Sequence, residues 1–159
     1  MTTELLAHVQ GALIAELEQL RDSVREIAGS LSEEELWTKP IEPGNSVGHL
    51  ILHLTGNLNH FIGAQLAKTG YERDREREFT QSEVPIKREL LAGLDGAIEV
   101  FRRTVSQLTV EQMIAPHPEA RFGPVIKALV HLVGHFAIHR GQMTYIARMV
   151  KAETKGDLW

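Results

Sequence analysis

The chain carries eight histidines and no cysteine, and six of the histidines fall into two clusters: His49, His53 and His60, then His131, His135 and His139. On an α-helix each residue turns about 100°, so a step of four returns to nearly the same face. His131, His135 and His139 therefore make one slowly drifting stripe, and His49, His53 and His60 make another. The spacing His135-x-x-x-His139 lets two imidazoles converge on one ion from successive turns. Two ligands from one helix and a third from a neighbour form a facial three-histidine set, which leaves one coordination position for water or substrate. A single histidine on an apolar helix face is more often a core residue. Several imidazoles buried in one bundle, however, would leave ring nitrogens in need of partners. Phe136 follows His135, where the H-E-x-x-H metalloproteases place their glutamate, and this argues against that class. The lack of cysteine removes thiolate ligands, disulfides and a cysteine nucleophile.

The elements that must position these imidazoles read as helices. From Glu4 to Ala28, Leu5, Leu6, Val9, Leu13, Leu17, Leu20, Val24 and Ile27 recur every three or four residues, which predicts a helix with one buried stripe. Gly29 ends it. Ser32-Glu33-Glu34-Glu35 reads as a capping box opening a short helical turn that Pro40 closes. Ser46 caps a second long helix running to about Ala67. A charged stretch, Tyr71 to Ser82, follows. Ser82 then caps a third helix, with Pro85 in its first turn. That helix carries Ile86, Leu90, Leu94, Ile98, Phe101 and Val105 at helical spacing. Thr109-Val110-Glu111-Gln112 is a second capping box, Pro116 and Pro118 break the chain, and Gly123-Pro124 opens a fourth helix to about Val150. No segment alternates with period two for long enough to make a convincing strand. Each half thus repeats one order: long helix, capped turn, proline, histidine-bearing helix. We expect an all-α four-helix bundle made of two similar helix pairs with long connections.

Composition bounds the function. At 159 residues the chain is the size of one domain, expected to span 1–159. It is 43% hydrophobic and 24% charged, with a net charge of −4 and acids and bases interspersed. Nothing basic enough for a nucleic-acid footprint is present, and no apolar run approaches a membrane span. The amphipathic N-terminus lacks the basic region and cleavage site of a signal peptide, so a cytoplasmic location is expected.

Two stretches carry a specific resemblance. NSVGHLILHLTGNLNHFI (Asn45 to Ile62) and HLVGHFAIHRGQMTYIARM (His131 to Met149) resemble the DinB/YfiT-like superfamily of metalloenzymes. The nearest pattern is an uncharacterised branch in which an arginine- and acid-rich stretch ends in Glu-Phe, here Glu78-Phe79. H-x-x-x-H-R-G-Q in the fourth helix is the more specific motif. The resemblance covers nearly the whole chain. It implies a four-helix bundle of the DinB/YfiT type, a homodimer, and one divalent metal ion held by three histidines. By motif position those ligands fall on His53, His135 and His139. The ion implied is zinc or nickel first, then iron or manganese. Some relatives are thiol-dependent S-transferases and others resemble hydrolases. The expected function is therefore a metal-dependent enzyme of the thiol-transferase or hydrolase kind acting on a small molecule, with a low-molecular-weight thiol as one candidate. A non-catalytic metal- or ligand-binding bundle, associated with stress, is the other reading.

Around these ligands, His60 and His49 are the candidate catalytic proton acceptors, and no carboxylate base accompanies the ligands in sequence. Asn57, one turn beyond His53, could point at an open coordination position. His131 reads as a support for the ligands or a core residue, and His8 and His117 as surface residues. Gly141 suggests close helix packing, with Arg140 and Gln142 off the ligand face. The run Glu72 to Glu78, alternating in sign, reads as solvated chain, or as a lid whose arginines attract an anionic substrate.

Overall fold

In the computed structural model, which describes residues 2–80 and 83–155, every regular element is helical. α1 (Thr2–Gly29) is followed by the short α2 (Glu33–Trp37), α3 (Val47–Leu58), the one-turn α4 (Arg77–Thr80), α5 (Lys87–Gln107), the short α6 (Val110–Ile114) and α7 (Val125–Lys155). α1 and α3 each pack against both α5 and α7. The four long helices thus enclose a core whose largest buried side chains include Leu17, Leu54, Phe101 and Phe136. None of the described helices is long and apolar enough to cross a membrane.

Local chemistry explains the helix starts. Ser32 and Glu35 form a reciprocal capping box on α2, and Thr109 and Gln112 form one on α6, each satisfying two backbone donors that a helix start leaves unpaired. Gly48 at the start of α3 lies so close to Trp37 that a Cβ there would meet the indole at 2.6 Å. Only glycine lets α2 approach α3 this closely. Gln10 donates through Nε2 to the carbonyls of Val105 and Leu108 (2.8 and 2.9 Å), which ties α1 to the end of α5.

Three expectations are revised. The second long helix does not run regularly to Ala67. After Leu58 it widens into a π-helical turn, Asn59–Ala64, of the kind that often marks functional sites. The expected cap Ser82 lies outside the described residues, and Pro85 precedes α5 rather than occupying its first turn. The N-cap of α5 is Ile86, which offers no side-chain hydrogen bond. Glu33 of α2 supplies the missing acceptor, taking the Lys87 N–H at 2.9 Å. The charged stretch is also less open than its sequence suggests, because it contains α4 and the buried Glu78.

Candidate metal centre

α3 and α7 lie against each other, and their histidine faces meet. His53 on α3 and His135 and His139 on α7 offer nitrogen atoms that all lie within 4.8 Å of one another. The ring centroids are 5.3 Å apart for His53 and His135, 5.0 Å for His53 and His139, and 4.4 Å for His135 and His139. Among the described residues no fourth histidine, aspartate or glutamate joins this group.

The hydrogen bonds orient the rings. His53 Nδ1–H donates to Glu78 Oε2 (2.9 Å), while Asn57 Nδ2 donates to His53 Nε2 (2.9 Å), so Nε2 carries the lone pair. His139 Nδ1–H donates to Gln142 Oε1 (2.7 Å), which again leaves the lone pair on Nε2. His139 Nε2 lies 3.1 Å from His135 Nε2. Two imidazole nitrogens at that distance must share a proton or a cation. At bond lengths of about 2.0–2.1 Å, one ion could serve both. Burial, reinforced by His139, His53 and His131, pushes the His135 imidazole down to about 4. Burial also lowers His139, against the Gln142 hydrogen bond that raises it. Both rings are therefore neutral near neutral pH, the state a metal ligand needs. The donor set and its protonation fit a divalent ion.

The carboxylate behind His53 is held in turn. Burial opposes the ionisation of Glu78, but hydrogen bonds from His53 and Arg73 outweigh it, and the carboxyl sits below its usual range. Arg73 donates to it through Nε (2.6 Å) and Nη2 (2.8 Å), and through Nη1 to Asn57 Oδ1 (3.1 Å). Gly56 makes room for this carboxylate: a Cβ at that position would meet Glu78 Oε1 at 2.1 Å. Carboxylate–histidine pairs of this kind fix the ring and raise its basicity toward a metal.

The other polar candidates have different places. His49 is buried at the start of α3, where Nδ1 accepts the Ser46 N–H (3.3 Å) and its ring edge meets Trp37. It completes the cap of that helix. His60 lies in the π-helical turn, with Nε2 accepting from Gln65 Nε2 (3.2 Å) and Nδ1 buried without a partner. Neither stands in the three-histidine group. Asn57 does reach the centre, as described. His131 is exposed and stacks on His135 with centroids 6.1 Å apart, so it is no core residue. His8 is exposed, as expected. His117 is not a surface residue: it is 2% exposed. Its Nδ1 accepts the Glu119 N–H (3.0 Å), and its Nε2–H donates to the Phe61 carbonyl (3.1 Å) in the π-helical turn. Gln142 lies on the ligand face after all. Gly141 is not at a close helix contact, since a Cβ there would meet nothing within 4 Å.

Sequence reasoning missed Glu78, Arg73, Gln142 and His117. The signal for Glu78 was Gly56, a mid-helix glycine three residues after a ligand-face histidine. Such a glycine costs about 1 kcal/mol and so calls for a reason in space.

On one side of the three histidines lies a cavity of about 450 Å³, with His53, His135 and His131 in its wall beside Phe61 and Arg121.

A search of curated proteins returns no match. Among solved structures, the chain is similar to the conserved protein of locus from Enterococcus faecalis. The TM-score is 0.73 and the identity 18%, over 89% of this chain and 96% of that one. At that identity the likeness speaks for the helical fold alone. Residues 6–158 match a single family, described as a protein of unknown function. The chain belongs to that family, DUF1572.

Proposed function

We propose that the protein is a metal-dependent enzyme, built as a DinB/YfiT-type four-helix bundle with one divalent ion on His53, His135 and His139. The observation that carries this reading is the pairing of three convergent imidazoles with an open flank. His53 and His139 have their Nδ1 atoms committed to Glu78 and Gln142, and His53 and His135 stand in the wall of the cavity. A purely structural site would be closed by a fourth protein ligand, and the three-histidine group has none among the described residues.

A bound divalent ion supplies Lewis acidity, which polarises a carbonyl or makes a thiol or water more acidic. The protein's own residues do the rest. Glu78 and Gln142 hold the imidazoles in one tautomer. Arg73 keeps Glu78 ionised and anchors Asn57. Phe61, Phe122 and Leu132, all buried, form the apolar part of the cavity wall. His131, exposed at the cavity and stacked on His135, is the imidazole placed to take a proton from a substrate there. The reaction is S-transfer from a low-molecular-weight thiol or a hydrolysis.

The test is elemental analysis of protein purified without an affinity tag, beside a His135→Ala variant. We expect about one divalent ion per chain in the parent and a large loss in the variant. Equal content in both would remove the site from His135. Titrating cobalt-loaded protein with cysteine then separates the two chemistries. A thiolate-to-cobalt absorption band supports S-transfer, and an unchanged spectrum favours hydrolysis.

A further inference from the structure

We infer that the cavity beside the three histidines binds a small organic anion, whose carboxylate or phosphate is held by Arg75 and Arg121. This deepens the metal-site reading and rests on it only for where the other end of the ligand points.

The cavity, about 450 Å³, is of a size that encloses a small ligand. Its wall contains three arginines and three histidines and no carboxylate. On a chain of net charge −4 this is a local reversal of sign, and a concave basic surface concentrates anions.

The three arginines are not equivalent. Arg73 has already given Nε and Nη2 to Glu78 and Nη1 to Asn57, so three of its five N–H donors are committed to positioning and its charge is paired with Glu78. Arg121 lies over the rings of Phe61 and Phe122, 5.2 and 5.0 Å from their centroids. Among the described residues its one ion pair is a long 3.7 Å contact from Nε to Glu119, a residue outside the cavity wall. Arg75 rests against Phe79 at 5.9 Å and has no ion pair among the described residues.

A guanidinium stacked on a ring keeps its in-plane N–H donors free, and those donors match two oxygens of a carboxylate or phosphate. Stacking also holds the group in place before the ligand arrives. His53 and His135 belong both to the cavity wall and to the candidate metal group. An anion held at the arginines therefore directs its body along Phe61 and Phe122 toward the imidazoles.

The test is calorimetric titration of metal-free and cobalt-loaded protein with phenyl phosphate, benzoate and uncharged benzyl alcohol. The parent is compared with Arg75→Gln/Arg121→Gln and with the control Arg102→Gln, an exposed α5 residue paired with Glu99 and outside the cavity wall. We expect one-to-one binding of the anions, no binding of benzyl alcohol, at least a tenfold loss in the double variant and no change in the control. Tighter binding of phenyl phosphate or of benzoate decides between a phosphate and a carboxylate ligand. In the cobalt-loaded parent the visible spectrum shifts on adding the anion. Melting temperature checks folding, and the Arg75→Gln single variant replaces the double one should that unfold. The inference is overturned by benzyl alcohol binding as tightly as benzoate, by parent-like anion affinity in the variants, or by no anion binding in either form. Anion binding lost in the double variant, with no cobalt uptake by the parent, leaves this inference standing and removes the metal reading. Cobalt uptake without anion binding does the reverse.

Discussion

Replacing Glu78 by glutamine separates orientation of a ligand from its presence. The carboxylate accepts three hydrogen bonds: from His53 Nδ1 at 2.9 Å and from Arg73 Nε and Nη2 at 2.6 and 2.8 Å. Glutamine keeps the shape but has one acceptor oxygen and no charge. With that oxygen in the Oε2 position it can keep the bonds from His53 Nδ1 and Arg73 Nη2, but its NH2 then faces the Arg73 Nε–H, and the charge that strengthens His53 as a ligand is gone. An orienting partner of this kind is worth about 10–100-fold in metal affinity, or about 1.4–2.7 kcal/mol. Leaving a buried charged donor short of its partner costs about 1–3 kcal/mol of fold stability. At this size each kcal/mol lowers Tm by about 2–4 °C. The assay is competition for zinc against a chromophoric chelator, with thermal melts of the metal-free protein alongside. We expect Glu78→Gln to retain a zinc site weakened within that range, while His53→Ala loses much more. Parent-like zinc affinity in Glu78→Gln, combined with loss in His53→Ala, would refute the orienting role.

The neighbouring predictions follow from the same geometry. Gly56→Ala gains helix propensity but drives a methyl to 2.1 Å from Glu78 Oε1. Chelator competition should show metal affinity falling roughly as far as in Glu78→Gln, and parent-like affinity would mean that the carboxylate has room to move. His117→Ala strips the Phe61 carbonyl and the Glu119 N–H of their buried partner. We expect about 1–3 kcal/mol less stability in denaturant melts, with metal content unchanged by elemental analysis. Acid should destabilise the metal-free fold in two stages. His135 is lowered from 6.5 to about 4, so between those values the unfolded chain binds a proton that the folded one refuses, and stability falls as pH drops through that window. Glu78, held below its usual range of 4.5, adds a further loss as pH falls below that value. Urea melts at successive pH values check this, and a His135→Asn variant should flatten the upper stage.

Much of the architecture was legible because it rests on local rules. The stripe of α1 is buried at Leu17, Leu20 and Val24 and packs on the core at Leu6, Leu13 and Ile27, though Leu5 at its start is exposed. Ser32 and Thr109 cap short helices through side chains that their own sequence contains. The meeting of His53 with His135 and His139 was legible in part. The i,i+4 spacing places two rings on one face, but only the family-like motif singled out His53 from His49 and His60. What escaped were features made by residues distant in sequence. Glu78 sits in a run of alternating charges that reads as solvated chain, yet Arg73 and His53 together make its burial affordable. His117 lies between two prolines and looks like a loop residue, but its ring bridges two backbone groups in the interior. His49 became a cap because its Nδ1 serves where a glutamate or glutamine ordinarily would. The π-helical turn left no mark in the hydrophobic pattern, because a single wider turn shifts the stripe by only one residue.

Crystals of protein purified without an affinity tag, measured at wavelengths on either side of the metal absorption edges, test the shared ion most directly. We expect one anomalous peak, within about 2.0–2.2 Å of the Nε2 atoms of His53, His135 and His139. An empty map there after soaking with zinc, nickel, iron and manganese, with Asn57 still bonded to His53 Nε2, would contradict it.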